Sequence, residues 1–291
     1  MTTTLENPNL QNSGNTISRI NRPTLAELKQ ATKGFNKPVI ITDTITEWKA
    51  FKSWSIEYLN QALNNKEIKI SISNNKIFTF TAENDYILLS TEMKFNDFTN
   101  WILNGDRSEK SYYLYQTPID QSFPELLPDI QTPEYIKKGV PLLANLWIGT
   151  GGNISPLHWD SAQNLLCQVR GRKRILLFEP KQTEFLYPFP ANSKIPHMSQ
   201  VKINDPDLNK FPKFASAKYT ECTIEAGEML FIPPFWWHQV YSLDQLNIAI
   251  NFWWQIRFKD YFTPQARRIL ANSPQQVWYL IKSIFSKKAN K

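Results

Sequence analysis

Two segments that are far apart in the chain carry side chains able to bind one metal ion. The first, residues 153–160, reads Asn-Ile-Ser-Pro-Leu-His-Trp-Asp and holds His158 and Asp160; the second, residues 232–238, ends in His238. Residues i and i+2 of a β-strand point to the same face, so His158 and Asp160 are expected to project toward one point. Two imidazoles and one carboxylate make the facial triad that holds non-haem Fe(II) and leaves other coordination positions open. The spacing therefore predicts a metal site formed by His158, Asp160 and His238.

The chain offers few alternatives for the second imidazole, because it has only three histidines. A His-x-Asp pair also arises by chance, and a histidine beside a tryptophan can be an ordinary core residue. His238 follows a proline-punctuated turn and enters an apolar, strand-like run, whereas His197 lies in a loop-like insertion. We therefore expect His238 to be the ligand, and His197 to lie at the surface or to contact substrate.

The motifs around these residues extend over most of the chain. From about Val39 to Trp254 it resembles the JmjC/cupin-type Fe(II)- and 2-oxoglutarate-dependent oxygenases. It looks most like the branch that contains the asparaginyl hydroxylase acting on hypoxia-inducible factor. The motifs that carry the resemblance, in chain order, are the segment 153–160, Gln163-Asn164, Gly171-Arg-Lys173-Arg, Leu177-Phe-Glu-Pro-Lys-Gln, Leu186-Tyr-Pro-Phe-Pro, Ile232-Pro-Pro-Phe-Trp-Trp-His238 and Asn251-Phe-Trp253.

The resemblance implies a co-substrate site beside the metal. It implies Fe(II) as the metal and 2-oxoglutarate as the co-substrate, whose far carboxylate is bound by Lys173. A lysine that points into an apolar core needs such a partner, because burying an unpaired charge is costly. The polar groups expected to complete the pocket are Tyr113, Ser155, Asn164 and Asn251. Tyr113 and Tyr115 share one strand face, so the residues alone leave the choice between them open.

The substrate side of the pocket is less defined by the sequence. Trp253 shares the strand face of Asn251 and is expected to wall the pocket beside the metal. In the asparaginyl hydroxylase the insertion carries Arg and Gln that handle the target amide, whereas this chain has His197-Met198 there. The difference argues against asparagine as the target and makes His197 a candidate substrate contact.

The elements that must position these residues are mainly β. Eight short strand-like segments with intervening turns, at about 142–148, 155–160, 163–170, 173–178, 221–224, 228–232, 237–242 and 246–254, predict a barrel or jelly roll. With the resemblance, the expected fold is a double-stranded β-helix of the cupin/JmjC type with surrounding α-helices and a C-terminal helical pair. The expected organisation is a flexible leader at 1–20, N-terminal helix and strand elements at 21–141, the core at 142–256 with an insertion at 181–220, and helices at 257–291.

Local patterns add detail outside the core. Helices are predicted from Thr24 to Gly34, from Ser55 to about Leu63 and over residues 95–103. Residues 48–54 read as a turn, and residues 68–81 read as a hairpin around Asn74-Asn75. The apolar stripe at residues 277–285 either covers the barrel or pairs with its copy in a homodimer, as the resemblance implies.

Composition narrows the class of protein. The chain has 291 residues, a formal net charge of +7 and two cysteines, which are too few for a disulfide framework. No apolar run suggests a membrane span and no signal peptide is recognisable, so the expectation is a cytoplasmic protein without membrane partners. The basic residues are dispersed, which favours a solvated surface over a nucleic-acid-binding face.

Three classes of function remain open from the sequence. The first is an oxygenase that hydroxylates a protein or peptide side chain, with succinate and CO₂ as co-products. The second is an oxygenase that modifies tRNA or another RNA, or oxidises a small molecule. The third is a cupin-like binding module without catalysis, which the complete triad and Lys173 disfavour. A lysine demethylase is also disfavoured, because zinc-site cysteines are absent, although small members lack them too.

Overall fold

Eight antiparallel strands form a jelly roll of two facing sheets in the computed structural model, which describes residues 10–79, 88–106, 108, 110–140, 142–254 and 263. One sheet has the core strand order β11-β10-β13-β8 and the other β12-β9-β14-β7. The core strands are β7 (Leu142–Gly149), β8 (Ile154–Trp159), β9 (Gln163–Arg170), β10 (Lys173–Phe178), β11 (Lys218–Ile224), β12 (Met229–Ile232), β13 (Trp237–Ser242) and β14 (Asn247–Trp254).

Strands from the N-terminal part extend both sheets. β2 and β3 continue the larger sheet beyond β12, β6, β4 and β5 continue it beyond β7, and β1 pairs in parallel with β11. These strands are β1 (Gln11–Asn12), β2 (Arg19–Asn21), β3 (Val39–Thr42), β4 (Glu67–Ser73), β5 (Ser90–Lys94) and β6 (Ser111–Pro118). Two of them, β1 and β2, fall in or at the end of the segment expected to be a leader.

The helices gather on the outer face of the larger sheet. They are α1 (Leu25–Ala31), α2 (Lys49–Ser53), α3 (Ile56–Leu63), α4 (Phe95–Asn104) and α5 (Ile119–Ser122), with short 3₁₀ turns between them. α1 begins at a capping box, because Thr24 accepts from the backbone of Glu27 while the Glu27 carboxylate accepts from the backbone of Thr24. The hydrophobic layer under the helices explains why both faces of β9 are buried.

Three apolar layers result from this arrangement. The first lies between the helices and the larger sheet. The second lies between the two sheets, and the third lies between the smaller sheet and the insertion. Side chains alternate between faces along each strand, so the polar residues predicted for the site fall among apolar ones that face the barrel interior.

The structure confirms the expected fold class, and each of the eight core strands begins and ends within three residues of its predicted bounds. Two local predictions are wrong. Residues 49–53 form α2 instead of a turn, and β4 pairs with β5 and β6 instead of forming a hairpin around Asn74-Asn75. The C-terminal helical pair lies outside the described residues. No helix in the described part of the chain is long and apolar enough to cross a membrane.

Candidate metal and co-substrate site

His158, Asp160 and His238 meet at the open end of the barrel. One ligand atom from each lies within 4.8 Å of the others. His158 on β8 is the register partner of His238 on β13, and their ring centroids are 4.2 Å apart. Asp160 follows the last residue of β8, where its backbone carbonyl accepts a hydrogen bond from Phe235 N at 2.8 Å. The predicted triad is therefore brought together by two neighbouring strands and the turn before β13.

An irregularity in β8 aims two of the site residues at the barrel interior. His158 pairs with His238 and Ser155 pairs with Val240, so β8 uses one residue more than β13 between these pairs. Simple alternation would place Ser155 and His158 on opposite faces, but a β-bulge changes this parity. Pro156 lies in this interval and has no N–H to give to the ladder. The bulge therefore lets both side chains face the site.

The two histidines are oriented by backbone carbonyls. His158 Nδ1 lies 2.7 Å from the carbonyl oxygen of Pro156, and His238 Nδ1 lies 2.9 Å from that of Trp236. A carbonyl only accepts, so each Nδ1 carries the proton and each Nε2 keeps its lone pair. This is the arrangement of metal-binding histidines, whose second nitrogen is held by an outer acceptor.

Burial keeps the His158 imidazole neutral at physiological pH, because it lowers the pKa of that ring. Burial first, and then the nearby His238, lowers the pKa of His158 well below its ordinary value. A histidine must be neutral to bind a metal. The geometry of the three ligands and the neutral ring of His158 therefore fit a divalent metal ion.

Lys173 provides a buried cation in the same cavity. It opens β10 on the interior face, is 2% exposed, and donates to Ser242 Oγ at 3.0 Å and to Tyr113 Oη at 3.2 Å. Among the described residues, no carboxylate forms an ion pair with it, and burial lowers its pKa to about 7. Because a buried lysine is costly without an anion, this arrangement fits a bound carboxylate.

The turn before Lys173 depends on Gly171. Gly171 has a φ of +70°, and a Cβ at this position would collide with the backbone oxygen of Leu246. Glycine tolerates both the left-handed backbone and the close approach. The sequence Gly-Arg-Lys therefore starts β10 at the register in which Lys173 faces Ser242.

The structure places both candidate tyrosines in the cavity. Tyr113 contacts Lys173, whereas Tyr115 hydrogen-bonds Ser155 and lies close enough to Asp160 to feel its charge. Burial is the largest cause of the raised pKa of each phenol, so both remain protonated donors. Tyr113 lies at the lysine end of the cavity and Tyr115 at the metal end, so the two residues hold different places rather than compete for one.

Hydrogen bonds link the side chains of the two predicted asparagines to the triad. Asn164 on β9 donates to Asp160 Oδ2 at 3.2 Å, and Asn251 on β14 donates to Asn164 Oδ1 at 3.4 Å. Asn251 Oδ1 in turn accepts from Trp147 Nε1 at 2.8 Å. These amides are thus bonded to one another and to the carboxylate of the triad.

The two predicted substrate-pocket residues lie on different elements, Trp253 on β14 and His197 in the insertion. Trp253 follows Asn251 on the interior face of β14, and its Nε1 is buried with no hydrogen-bond partner among the described residues. His197 lies in the insertion, which runs beside β8: Trp159 N donates to His197 O at 3.1 Å and Ser199 N to Leu157 O at 2.9 Å. Burial, and then the charge of His158, lowers the pKa of His197 to about 4, so its ring is neutral.

Sequence reasoning missed two residues of the site. Trp147 on β7 contacts the rings of Tyr113 and Tyr115 and donates a hydrogen bond to the side-chain amide of Asn251. Ser242 on β13 accepts a hydrogen bond from Lys173. Trp147 alternates with core residues along β7, and this alternation could have predicted that its side chain faces the barrel interior. Ser242 is the last residue of β13 and carried no recognisable signal.

Comparison with known proteins gives a family match over most of the chain. The family described as "Cupin-like domain" matches residues 26–260. The chain is 35% identical over 243 residues to lysine-specific demethylase 8 of Xenopus tropicalis, covering 82% of this chain and 52% of that protein. It is 33% identical over 265 residues to JmjC domain-containing protein D of Dictyostelium discoideum, covering 82% and 57%.

A further relative is named for an RNA substrate. The chain is 32% identical over 220 residues to tRNA wybutosine-synthesizing protein 5 of Gallus gallus, covering 69% of this chain and 65% of that protein. The chain thus spans about half to two thirds of the length of these curated relatives, and their full activities do not transfer by similarity alone.

Proposed function

The chain belongs to the cupin-like domain family, whose JmjC members use Fe(II) and 2-oxoglutarate, and from this premise we propose that it oxidises a C–H bond of a protein or peptide side chain. The observation that carries the proposal is the cluster of His158, Asp160 and His238 beside the buried Lys173. A non-catalytic binding module has no need of a complete triad and a buried cation in one cavity.

The residues of the chain divide the work of binding. His158, Asp160 and His238 would hold Fe(II), and Lys173, with Tyr113 and Ser242, would hold the far carboxylate of 2-oxoglutarate. When bound, the metal and the co-substrate supply the oxidising chemistry, in which 2-oxoglutarate and O₂ are converted to succinate and CO₂ and one oxygen atom passes to the substrate. The aromatic walls exclude water and position the C–H bond, which is the protein's part in cofactor chemistry.

Two observations support a protein or peptide as the substrate. Relatives that match 82% of the chain are named lysine-specific demethylases, so their names denote a protein side chain. His197 and Trp253 carry hydrogen-bonding groups without an assigned role in the triad, a neutral imidazole and a buried indole N–H. We assign both residues to the substrate side of the cavity.

RNA is the second candidate substrate. It is favoured by the relative named for tRNA wybutosine synthesis and by the formal net charge of +7, which attracts polyanions. A peptide substrate and an RNA substrate can be distinguished in one experiment, because each should raise succinate formation only when the matching pool is added.

The test is succinate formation by the full chain. Protein loaded anaerobically with Fe(II) and given 2-oxoglutarate is exposed to O₂ with a peptide pool, a tRNA pool or neither. We expect succinate formation to rise with the peptide pool and to be lost in Asp160→Ala. Asp244→Ala is the matched control, because Asp244 is a surface carboxylate paired with Arg172 and its loss leaves the triad intact.

Each other outcome has a distinct meaning. Stimulation by tRNA alone would replace the peptide assignment with an RNA assignment. A wild-type chain that binds neither Fe(II) nor 2-oxoglutarate would overturn the enzyme assignment and favour a binding module. If neither pool raises succinate formation but a metabolite extract does, the protein would be a small-molecule oxygenase.

The product distinguishes hydroxylation from demethylation. Oxidation of a C–H bond whose carbon is not bonded to nitrogen leaves a stable alcohol. Oxidation of an N-methyl group instead gives an unstable product that releases formaldehyde. We propose hydroxylation. Mass spectrometry of the stimulated peptide should find one added oxygen atom, and formaldehyde release with a methylated lysine peptide would show demethylation instead.

We also propose that the chain forms a homodimer through its C-terminal segment. The support is the apolar stripe in the sequence at residues 277–285, which includes Trp278 and Ile281 at helical spacing. Light scattering should give the mass of two chains, and Trp278→Glu with Ile281→Glu should give the mass of one. Lys282→Glu is the control, and a wild-type mass of one chain would refute the dimer.

A further inference from the structure

A row of hydrogen bonds crosses three neighbouring strands and ends on the carboxylate of the triad. It runs from Trp147 Nε1 on β7 to Asn251 Oδ1 on β14, from Asn251 Nδ2 to Asn164 Oδ1 on β9, and from Asn164 Nδ2 to Asp160 Oδ2, with lengths of 2.8, 3.4 and 3.2 Å. β14 lies between β7 and β9 in the sheet. We name these three bonds the amide relay.

We infer that Asn164 and Asn251 are positioning residues, which orient the Asp160 carboxylate for the metal, and that Trp147 fixes the direction of the relay. The resemblance alone implied that both amides contact 2-oxoglutarate directly. Their hydrogen bonds in addition link them to the carboxylate ligand. The inference rests on the proposed function, because it takes Asp160 to be a metal ligand.

The chemistry of the two ends sets the direction of every bond in the relay. An indole nitrogen only donates, so Asn251 must turn its oxygen toward Trp147 and its NH₂ toward Asn164. Asn164 must then turn its oxygen toward Asn251 and its NH₂ toward Asp160. An ionised carboxylate only accepts, so the relay ends in a matched pair. Trp147 and Asp160 thus require the same orientation of both amides, and without Trp147 only the carboxylate end would enforce it.

The strand register makes the relay a fixed feature of the sheet. Asn251 pairs with Asn145 on β7 and with Leu166 on β9, so Trp147 and Asn164 are its diagonal neighbours on the two sides. Such diagonal positions on one sheet face are within reach of long side chains. Asn251 is 1% exposed and Asn164 5%, and hydrogen bonds in a site shielded from water are electrostatically stronger.

Orientation of a ligand by an outer partner is a measurable effect. Loss of a group that holds a metal ligand typically lowers metal affinity by about 10- to 100-fold. A carboxylate released from Asn164 can rotate about its Cα–Cβ and Cβ–Cγ bonds, so it no longer presents an oxygen to the point that the two Nε2 atoms share. Metal binding should therefore weaken before co-substrate binding is affected.

The test measures metal and co-substrate binding separately in the full chain. Mn(II) affinity is determined by calorimetry without co-substrate, Co(II) is added to record the absorption bands of the bound metal, and 2-oxoglutarate affinity is determined at saturating Mn(II). We expect Asn164→Ala to weaken Mn(II) binding roughly 10- to 100-fold and to alter the Co(II) bands. We expect its 2-oxoglutarate affinity at saturating Mn(II) to change by less than the Mn(II) affinity.

Two further variants keep the test decisive. Trp147→Phe retains a ring against Tyr115 but removes the N–H, and should weaken Mn(II) binding in the same direction by a smaller factor. Asn145→Ala is the matched control, because Asn145 is 2% exposed, lies directly opposite Asn251, and has an Nδ2 without a partner among the described residues. Its Mn(II) affinity should equal that of the wild type.

The contrary results are separable from failure of the proposed function. If Asn164→Ala loses 2-oxoglutarate affinity while its Mn(II) affinity is unchanged, the amides contact the co-substrate and the inference is overturned. Equal losses in Asn164→Ala and Asn145→Ala would mean general loosening of the barrel and would also overturn it. A wild-type chain that binds no Mn(II) would refute the metal site itself.

Discussion

At the scale of single residues, the site depends on a lysine whose charge the fold disfavours. Among the described residues, the hydrogen-bond partners of Lys173 are the hydroxyls of Ser242 and Tyr113, and burial lowers its pKa to about 7. Burial of this lysine without an anion destabilises the free protein, and the binding of an anion beside Lys173 offsets that destabilisation. Lys173 is therefore better described as part of a carboxylate-binding site than as a structural cation.

Replacing Lys173 should separate co-substrate binding from metal binding. Lys173→Met keeps the length of the side chain but removes the charge, and a hydrogen bond to a charged group contributes about 1.5–3 kcal/mol. We expect 2-oxoglutarate affinity to fall roughly 10- to 100-fold, as calorimetry would measure, with Mn(II) affinity retained. Arg172→Met, in the same turn but exposed and paired with Asp244, is the control. Equal affinity in Lys173→Met and wild type would disprove the assignment.

The same pKa predicts how co-substrate binding depends on pH. Below about 7 the Lys173 ammonium is charged in the free protein and ready for the carboxylate. Above that pH the free protein holds a neutral amine, so binding must take up a proton. Affinity should then fall about tenfold for each pH unit.

Calorimetry above pH 7 in buffers of different ionisation enthalpy would count the proton. We expect uptake of one proton per 2-oxoglutarate in the wild type and none in Lys173→Met. A wild-type affinity that does not change as the pH rises through this range would contradict a lysine that is neutral in the free protein.

At the scale of elements, the site depends on the close packing of β7 and β6. Gly149, the last residue of β7, lies against the Tyr113 ring: an added Cβ would come within 2.6 Å of both Tyr113 Cδ2 and Asn153 Nδ2. The glycine thus leaves the room that Tyr113 needs to reach Lys173. This explains why glycine occurs at the end of β7.

Gly149→Ala should disturb both stability and co-substrate binding. Overpacking in a well-packed core typically costs about 1–3 kcal/mol, which urea unfolding would measure. Displacement of Tyr113 should also weaken 2-oxoglutarate binding while leaving Mn(II) binding unchanged. Pairing Gly149→Ala with Tyr113→Ala tests the cause: relief of the strain in the double variant is expected, and fully additive losses would argue against the clash.

The elements also show what the sequence could predict and what it could not. Regular alternation and turn residues were enough to place the eight core strands, and motif order was enough to select the triad. The interior direction of both Ser155 and His158 depends on a bulge, which alternation does not reveal. The roles of Asn164 and Asn251 depend on an indole N–H on a third strand, and no pattern within one strand contains that information.

Local signals failed where tertiary contacts decide. Asn74-Asn75 is a hairpin signal of moderate strength, but the strands that pair with β4 are β5 and β6. Residues 48–54 hold two tryptophans that read as a turn, yet both are buried under the sheet and α2 forms between them.

At the scale of the whole molecule, the barrel is covered by an N-terminal layer that one carboxylate holds together. Asp129 is buried and accepts from Lys49 Nζ at 2.7 Å, Trp54 Nε1 at 2.9 Å and Tyr58 Oη at 2.6 Å. These partners belong to α2, α3 and the residue between them. The layer in turn buries the outer face of the larger sheet, and the barrel interior buries the other face of β9.

Asp129 should make the stability of the molecule sensitive to acid. Burial alone would raise the pKa of Asp129, but its hydrogen bonds to Lys49, Tyr58 and Trp54 outweigh burial and lower it. A carboxyl whose pKa is lower in the folded state stabilises the protein fully above its unfolded pKa, about 3.9, and the contribution disappears as pH falls through the folded value. The contribution of Asp129 should thus be constant at neutral pH and decline only in acid.

The variant Asp129→Ala tests this whole-molecule role. Its unfolding free energy at pH 7 should be lower than that of the wild type by about 1–3 kcal/mol for the buried indole N–H left without an acceptor. The difference between the two proteins should shrink below about pH 4. Asp120→Ala, an exposed carboxyl in α5, should stay within about 0.5 kcal/mol of the wild type. A difference that persists unchanged in acid would mean that the carboxylate charge of Asp129 is not what holds the N-terminal layer.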